Sequence, residues 1–170
     1  MRNFVLPTLL SLLVILLPHA GAAQTLAGCT ATDLTDPPRI AYQCPGGLVI
    51  EAEAAAALGI VTAAPDGRPT DVEVSSDAVL IEVEPGGGPF QIRTPHAIAA
   101  VRGTEYAVDV EGGKTAVFVA EGEVSVSRPD GSDTVVLGPG FGVDVTPGEP
   151  LVVREWGAQR VTSLLNRFGR

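Results

Sequence analysis

Arg102-Gly103-Thr104-Glu105 sets a guanidinium, a glycine, a hydroxyl and a carboxylate on successive residues, and Glu121-Gly122-Glu123 follows about 15 residues after Glu105. A guanidinium is a planar fork of donors that a carboxylate can accept through two parallel bonds. Glu105, Glu121 and Glu123 are the candidate acceptors for Arg102. Gly103 lets the backbone turn or approach a neighbour closely, and Thr104 can satisfy a backbone group at the bend. The first expectation is an ion pair clamping two adjacent strands, with Glu121-Gly122 as the hairpin corner against which Arg102 closes. The alternative is that the same residues recognise a ligand.

Other reactive residue types carry weaker signals. His96 has no Gly-x-Ser-x-Gly elbow elsewhere in the chain to act on, and its place after Pro95 reads as a turn or surface histidine. Asp130-Gly131-Ser132-Asp133 lacks the ligand spacing of a calcium loop and reads as a hairpin turn. Glu51/Glu53 and Glu82/Glu84 each project to one face of a strand; such a pair could serve glycoside hydrolysis, but alternation of this kind reads as a solvated face. With His19 in the leader, one histidine remains, too few ligands for a His/Cys zinc site. The residues therefore predict no catalytic site, no metal, no cofactor and no enzyme activity.

The elements that must position these residues are strands. From Thr70 onward apolar residues recur with period two, as in Val72/Val74, Val79/Ile81/Val83 and Tyr106/Val108/Val110, between turn formers such as Pro85-Gly86-Gly87-Gly88-Pro89 and Gly112-Gly113. Twenty glycines and 14 prolines, with 45% hydrophobic residues, point the same way. An all-β fold is predicted: a twisted β-solenoid or roll, or a sandwich of many short strands. Leu48 to Gly59 is ambiguous because Glu51 to Leu58 has high helix propensity. The β context on either side makes it a strand or strand pair. At the C-terminus Trp156, Val161, Leu164, Leu165 and Phe168 fall near one face of a short helix, beside Arg154, Arg160, Arg167 and Arg170. That helix is expected to cover an open end of the β-domain, and the alternative is a docking contact for a partner protein.

Met1-Arg2-Asn3, the apolar run Phe4 to Leu17 and Ala20-Gly21-Ala22-Ala23 read as a cleavable secretory signal over residues 1–23. The run is too short to span about 30 Å of hydrocarbon comfortably. The export route predicts a Cys29–Cys44 disulfide pinning an N-terminal arm, residues 24–47, to a β-domain over residues 48–150, with a helical segment at 151–170. Leu26-Ala27-Gly28-Cys29 resembles a lipoprotein box, so a lipid anchor at Cys29 is the alternative; the polar residues between the apolar run and the box count against it. The formal charge of −9 makes nucleic acid and anionic lipid poor partners.

Thr94-Pro95, Val101-Arg102-Gly103-Thr104-Glu105-Tyr106, Glu121-Gly122-Glu123-Val124 and Leu137-Gly138-Pro139-Gly140, in this order, resemble the core of the FecR-type periplasmic domain over roughly Phe90 to Val145. The resemblance implies a β-rich signalling or binding module of the bacterial envelope, periplasmic or secreted. Regulatory members carry a cytoplasmic anti-sigma segment and a membrane helix ahead of the domain. The only apolar run here is at the N-terminus, so the expectation is a free-standing secreted member with an envelope protein as partner. An envelope structural module associating with glycan or peptidoglycan is the second reading.

Overall fold

The computed structural model describes residues 26–170. The expected secretory leader, residues 1–23, lies outside the described residues. Thirteen strands and one short helix follow in order: β1 Thr30–Leu34, β2 Arg39–Cys44, β3 Leu48–Glu53, β4 Ala57–Ala63, β5 Pro69–Val83, β6 Phe90–Arg93, β7 Ile98–Val101, β8 Thr104–Glu111, β9 Lys114–Glu121, β10 Val124–Ser127, β11 Val135–Leu137, β12 Phe141–Val145, β13 Arg154–Glu155 and α1 Ala158–Leu165, which ends in a 3₁₀ turn, Asn166–Phe168.

These strands make one mixed sheet curled into two wings, all pairs antiparallel except β5 with β6. The first wing runs β1-β2-β3-β5-β8-β9-β12-β13. The second runs β4-β5-β6-β7-β10-β11. Strand β5 belongs to both. Its first half pairs with β4 and β6, its second half with β3 and β8, and Asp77 sits at the change-over with φ of 61°. Aspartate tolerates this left-handed conformation better than most residues, which lets one long strand bend from one layer into the other.

The period-two pattern explains the core. Val79, Ile81 and Val83 of β5, Tyr106, Val108 and Val110 of β8, and Leu48, Ile50 and Ala52 of β3 point inward from the first wing. They meet Val72 and Val74, Ile92, Ala99, Val124, Val126 and Leu137 from the second. The all-β reading holds, and Leu48 to Gly59 is a strand pair as expected, β3 and the start of β4. The period-two runs Val72/Val74 and Val79/Ile81/Val83 lie on one strand bent at Asp77.

The N-terminal arm is a β1–β2 hairpin that extends the first wing. Cys29 and Cys44 are disulfide-bonded across a sequence separation of 15. The Sγ that a lipid anchor would use is therefore occupied. Leu26, which processing at Cys29 would remove, packs in the main core. A ring of this size stabilises a fold by about 3 kcal/mol, chiefly by restricting the unfolded chain. Replacing both cysteines by serine is expected to lower the unfolding free energy by about that amount, read from urea melts with and without reductant.

Candidate functional site

The outward residues of the first wing form two parallel rows. Strand register sets Ala78 beside Asp109, Asp109 beside Ala116 and Ala116 beside Asp144. The next row runs Glu51, Leu80, Ala107, Phe118 and Gly142. Small alanines and a glycine make a shallow apolar trough, and carboxylates stand along its margins. The C-terminal segment lies in it: Trp156, Leu164 and Phe168 are buried against Ala78, Leu80, Ala107, Ala116 and Phe118, with Val161 and Leu165 packed around them. The segment covers a face of the sheet rather than an open end, a correction to the sequence reading. The face carried enough alanine to admit bulky side chains, whereas an edge offers only backbone. The same finding corrects the docking reading for Trp156, Val161, Leu164, Leu165 and Phe168, since the chain's own sheet takes up this apolar stripe.

Gly142 fixes where Trp156 sits. A Cβ there would lie 2.4 Å from indole ring atoms of Trp156 and 2.7 Å from the Val117 carbonyl oxygen. Trp156 stacks on Phe118 with centroids 5.1 Å apart, and the Arg160 guanidinium lies over the indole, 3.4 Å from its centroid. The second contact is a cation–π interaction.

Arginines of the segment close on the marginal acids. Arg160 donates through both Nη atoms to Asp144. Arg167 Nε donates to Glu53 Oε1 at 2.8 Å, its Nη1 to Asp109 Oδ2 at 2.8 Å, and its Nη2 also to Glu53. Arg170 bridges Glu51 and Glu105, both at 2.8 Å, and Arg39 Nε reaches Glu51 at 2.6 Å. The Ala78 N–H donates to Glu53 as well. Glu51 is buried and Glu53 and Asp109 are half-buried, so the expectation of a solvated face at Glu51/Glu53 is corrected: these acids hold the tail.

Burial pulls the Glu51 carboxyl up, but hydrogen bonds from Arg39 and Arg170 outweigh it and hold the group below its ordinary value. Glu53 follows the same pattern, with Arg167 and the Ala78 N–H overriding burial, as does Asp144 with Arg160 and Lys114. Hydrogen bonds to Glu53, and then to Asp109, push Arg167 up against the opposing effect of burial. Lowered carboxylate values stabilise the fold above the unfolded value of about 4 and cease to do so as pH falls through the folded values. Trp156, the only tryptophan, reports on this directly. Its emission is expected to stay constant from pH 8 to about 5 and to shift red below about 4; a constant emission down to pH 2 would show that the ion pairs do not hold the tail.

The glycine corner differs from expectation in its cation. Arg102 is exposed and makes no ion pair among the described residues. Glu105 pairs with Arg170 instead. The guanidinium clamp is therefore corrected: β7 ends at Val101, so Arg102 points from a bend into solvent. The corner is held by backbone proximity and one hydroxyl. Gly122 has φ of 85°, and a Cβ there would fall 2.7 Å from the Gly103 carbonyl oxygen and 2.9 Å from Thr104 Oγ1. Thr104 Oγ1 donates to the Glu123 carbonyl at 3.1 Å, the backbone role expected of it. Gly103 itself has φ of 69° and passes Pro85 closely. Arg102→Ala is accordingly expected to change stability by less than about 0.5 kcal/mol, as surface substitutions do; a large drop in Tm would restore the clamp.

His96 Nδ1 lies 3.2 Å from Thr115 Oγ1, which also shares a 2.8 Å hydrogen bond with Thr94 Oγ1. These contacts tie the Thr94–Ala97 turn to β9. Asp130 accepts from Ser132 and Asp133 pairs with Arg128, so this stretch is the hairpin turn it was read as. A cleft of about 690 Å³ opens between α1 and the bend of β5, lined among others by Asp77, Asp109, Trp156, Arg160, Ser163 and Arg167. Sequence reasoning missed Asp109, Asp144 and Gly142, and took Glu53 for part of a solvated face. The available signal was the run of alanines at outward strand positions, where an exposed sheet would carry polar side chains.

No helix among the described residues is long and apolar enough to cross a membrane. No curated protein matches the chain. Among solved structures, two crystal structures of a candidate anti-sigma factor from Parabacteroides distasonis ATCC 8503 share its fold, with TM-scores of 0.62 and 0.61 at 24% and 23% identity. The matches cover 81% and 80% of this chain, which spans 64% of the length of those proteins. The model of the family described as FecR protein matches residues 36–125, over half of the chain. It starts earlier than the sequence motifs suggested, taking in β2 to β5, and ends at β10. The strands that carry the motifs pair with those preceding ones to close the core, and the chain belongs to the FecR protein family.

Proposed function

We propose that this chain is a non-catalytic relay or binding module of the bacterial envelope that works through contact with another envelope protein. The observation that carries this reading is the family match across β2 to β10, which includes both layers of the core and the glycine corner. The fold kinship with a candidate anti-sigma factor agrees with a role in passing a signal rather than in turning over a substrate. Export to the periplasm fits the leader-like N-terminal residues and the Cys29–Cys44 disulfide, a bond that persists in oxidising compartments. Residues 48–150 are the proposed binding body, with the 151–170 segment as its internal partner.

Crosslinking in intact cells tests the reading. A photo-reactive residue placed in turn at Val61, Val136 and Val152, three exposed apolar positions, is expected to capture one envelope protein reproducibly. Retention of the chain on purified cell-wall sacculi without such a protein would favour the glycan-binding alternative. Turnover of any substrate that depends on His96 would refute the non-catalytic reading.

A further inference from the structure

We infer that the outer face of the first wing is a docking groove for a basic amphipathic helix of a partner protein, and that the C-terminal helix of this chain is its exchangeable resident. The groove has a floor of Ala78, Leu80, Ala107, Ala116 and Phe118, with Asp109 set between Ala78 and Ala116 and with Glu51, Glu53, Glu105 and Asp144 around it. Uncovered, such a surface sets apolar floor and unpaired carboxylates side by side in water. It selects an occupant that brings bulky apolar side chains for the floor and arginines for the margins.

The resident shows what that occupant looks like. Arg160, Leu164, Arg167 and Phe168 fall at i, i+4, i+7 and i+8, which places two guanidiniums and two apolar anchors on one stripe. All of these side chains point at the sheet: Arg160 to Asp144, Arg167 to Glu53 and Asp109, Leu164 and Phe168 to the floor. The partner helix must repeat this alternation of arginine and large apolar residue over about three turns.

The resident helix has little stability of its own. Its helix has eight residues plus a 3₁₀ turn, and its N-cap, Gly157, makes no side-chain capping bond. Isolated helices shorter than about 12 residues are marginal in water, so this one exists only while docked. The arginines that hold it are 29% to 42% exposed, which leaves their ion pairs open to screening by salt. It is tethered through β13, which pairs with β12 at two positions only. An arriving helix competes for charges that are already within reach of solvent.

The inference rests on the proposal that the domain binds an envelope protein and adds the partner's chemical class and its site. The test uses purified full-length chain, so its failure leaves the envelope partner to be sought on another surface. Failure of the cellular crosslinking leaves the groove's selectivity standing.

The probe is a fluorescein-labelled peptide with the sequence of residues 154–170, titrated by anisotropy against wild type and against the Arg167→Ala/Arg170→Ala chain. The variant, whose own tail has lost four carboxylate contacts, is expected to bind the peptide at least tenfold more tightly than wild type. A peptide with Arg160, Arg167 and Arg170 replaced by glutamate is expected to bind neither. Equal affinity of wild type and variant, or binding of the charge-reversed peptide, would overturn the inference. Hydrogen exchange on wild type needs no variant: amides of α1 are expected to open at least a hundredfold more often than those of β8. Equal protection would show that the helix leaves only when the whole chain unfolds. Elution of wild type as a dimer with exchanged tails would give the groove to a second copy and overturn the assignment to a foreign helix.

Discussion

Phe168→Ala is expected to release the C-terminal segment while leaving the two-layer core folded. Phe168 is fully buried in the outer cluster, the deepest apolar anchor of a segment that also relies on Trp156 and Leu164. Removing a buried phenylalanine costs about 3 to 5 kcal/mol, through lost transfer energy and the cavity left behind. A helix of this length without a side-chain cap has no comparable reserve. The loss should therefore appear as a change of state at the tail. Trp156 emission should shift red, protease should cut after Arg160 or Arg167, and the core should still melt cooperatively. Retention of the wild-type emission and protease resistance would show that the arginine contacts alone hold the segment.

Gly122→Ala is expected to act on the core itself. The added Cβ meets the Gly103 carbonyl oxygen at 2.7 Å and Thr104 Cα at 3.1 Å, both backbone atoms that cannot swing aside. An alanine at φ of 85° also pays for the left-handed conformation, about 1 to 2 kcal/mol. Overpacking adds about 1 to 3 kcal/mol. The sum, about 2 to 5 kcal/mol, should lower the urea midpoint at unchanged slope. Gly131→Ala is the internal control: its φ of 79° carries the same conformational cost, but nothing lies within 4 Å of its Cβ. Equal losses at the two positions would mean that close approach of the two chain segments contributes nothing.

The layers of this fold were legible because alternation is a local signal. Val79/Ile81/Val83 and Tyr106/Val108/Val110 announce which side faces the core before any partner strand is known. The disulfide was legible for a different reason: two cysteines leave a single pairing. The ion pairs were not legible, because period and propensity carry no information about which distant charges meet. Arg102 stands near three glutamates in the motif and pairs with none among the described residues. Arg167 meets Glu53, 114 positions away. Likewise the stripe from Trp156 to Phe168 announced that something must be covered, and the sequence pattern could not choose between an end and a face. The alanines at outward positions 78, 107 and 116 held that answer, but alanine is equally at home in a buried strand. The continuity of the strand bent at Asp77 was not legible, because an aspartate between valine ladders resembles a turn.

That bend has a mechanical consequence. Because β5 is common to both layers, neither can slide against the other without stretching a continuous covalent backbone. The β4 margin and the floor beneath the C-terminal helix, at Ala78 and Leu80, are therefore joined by one continuous backbone through Asp77.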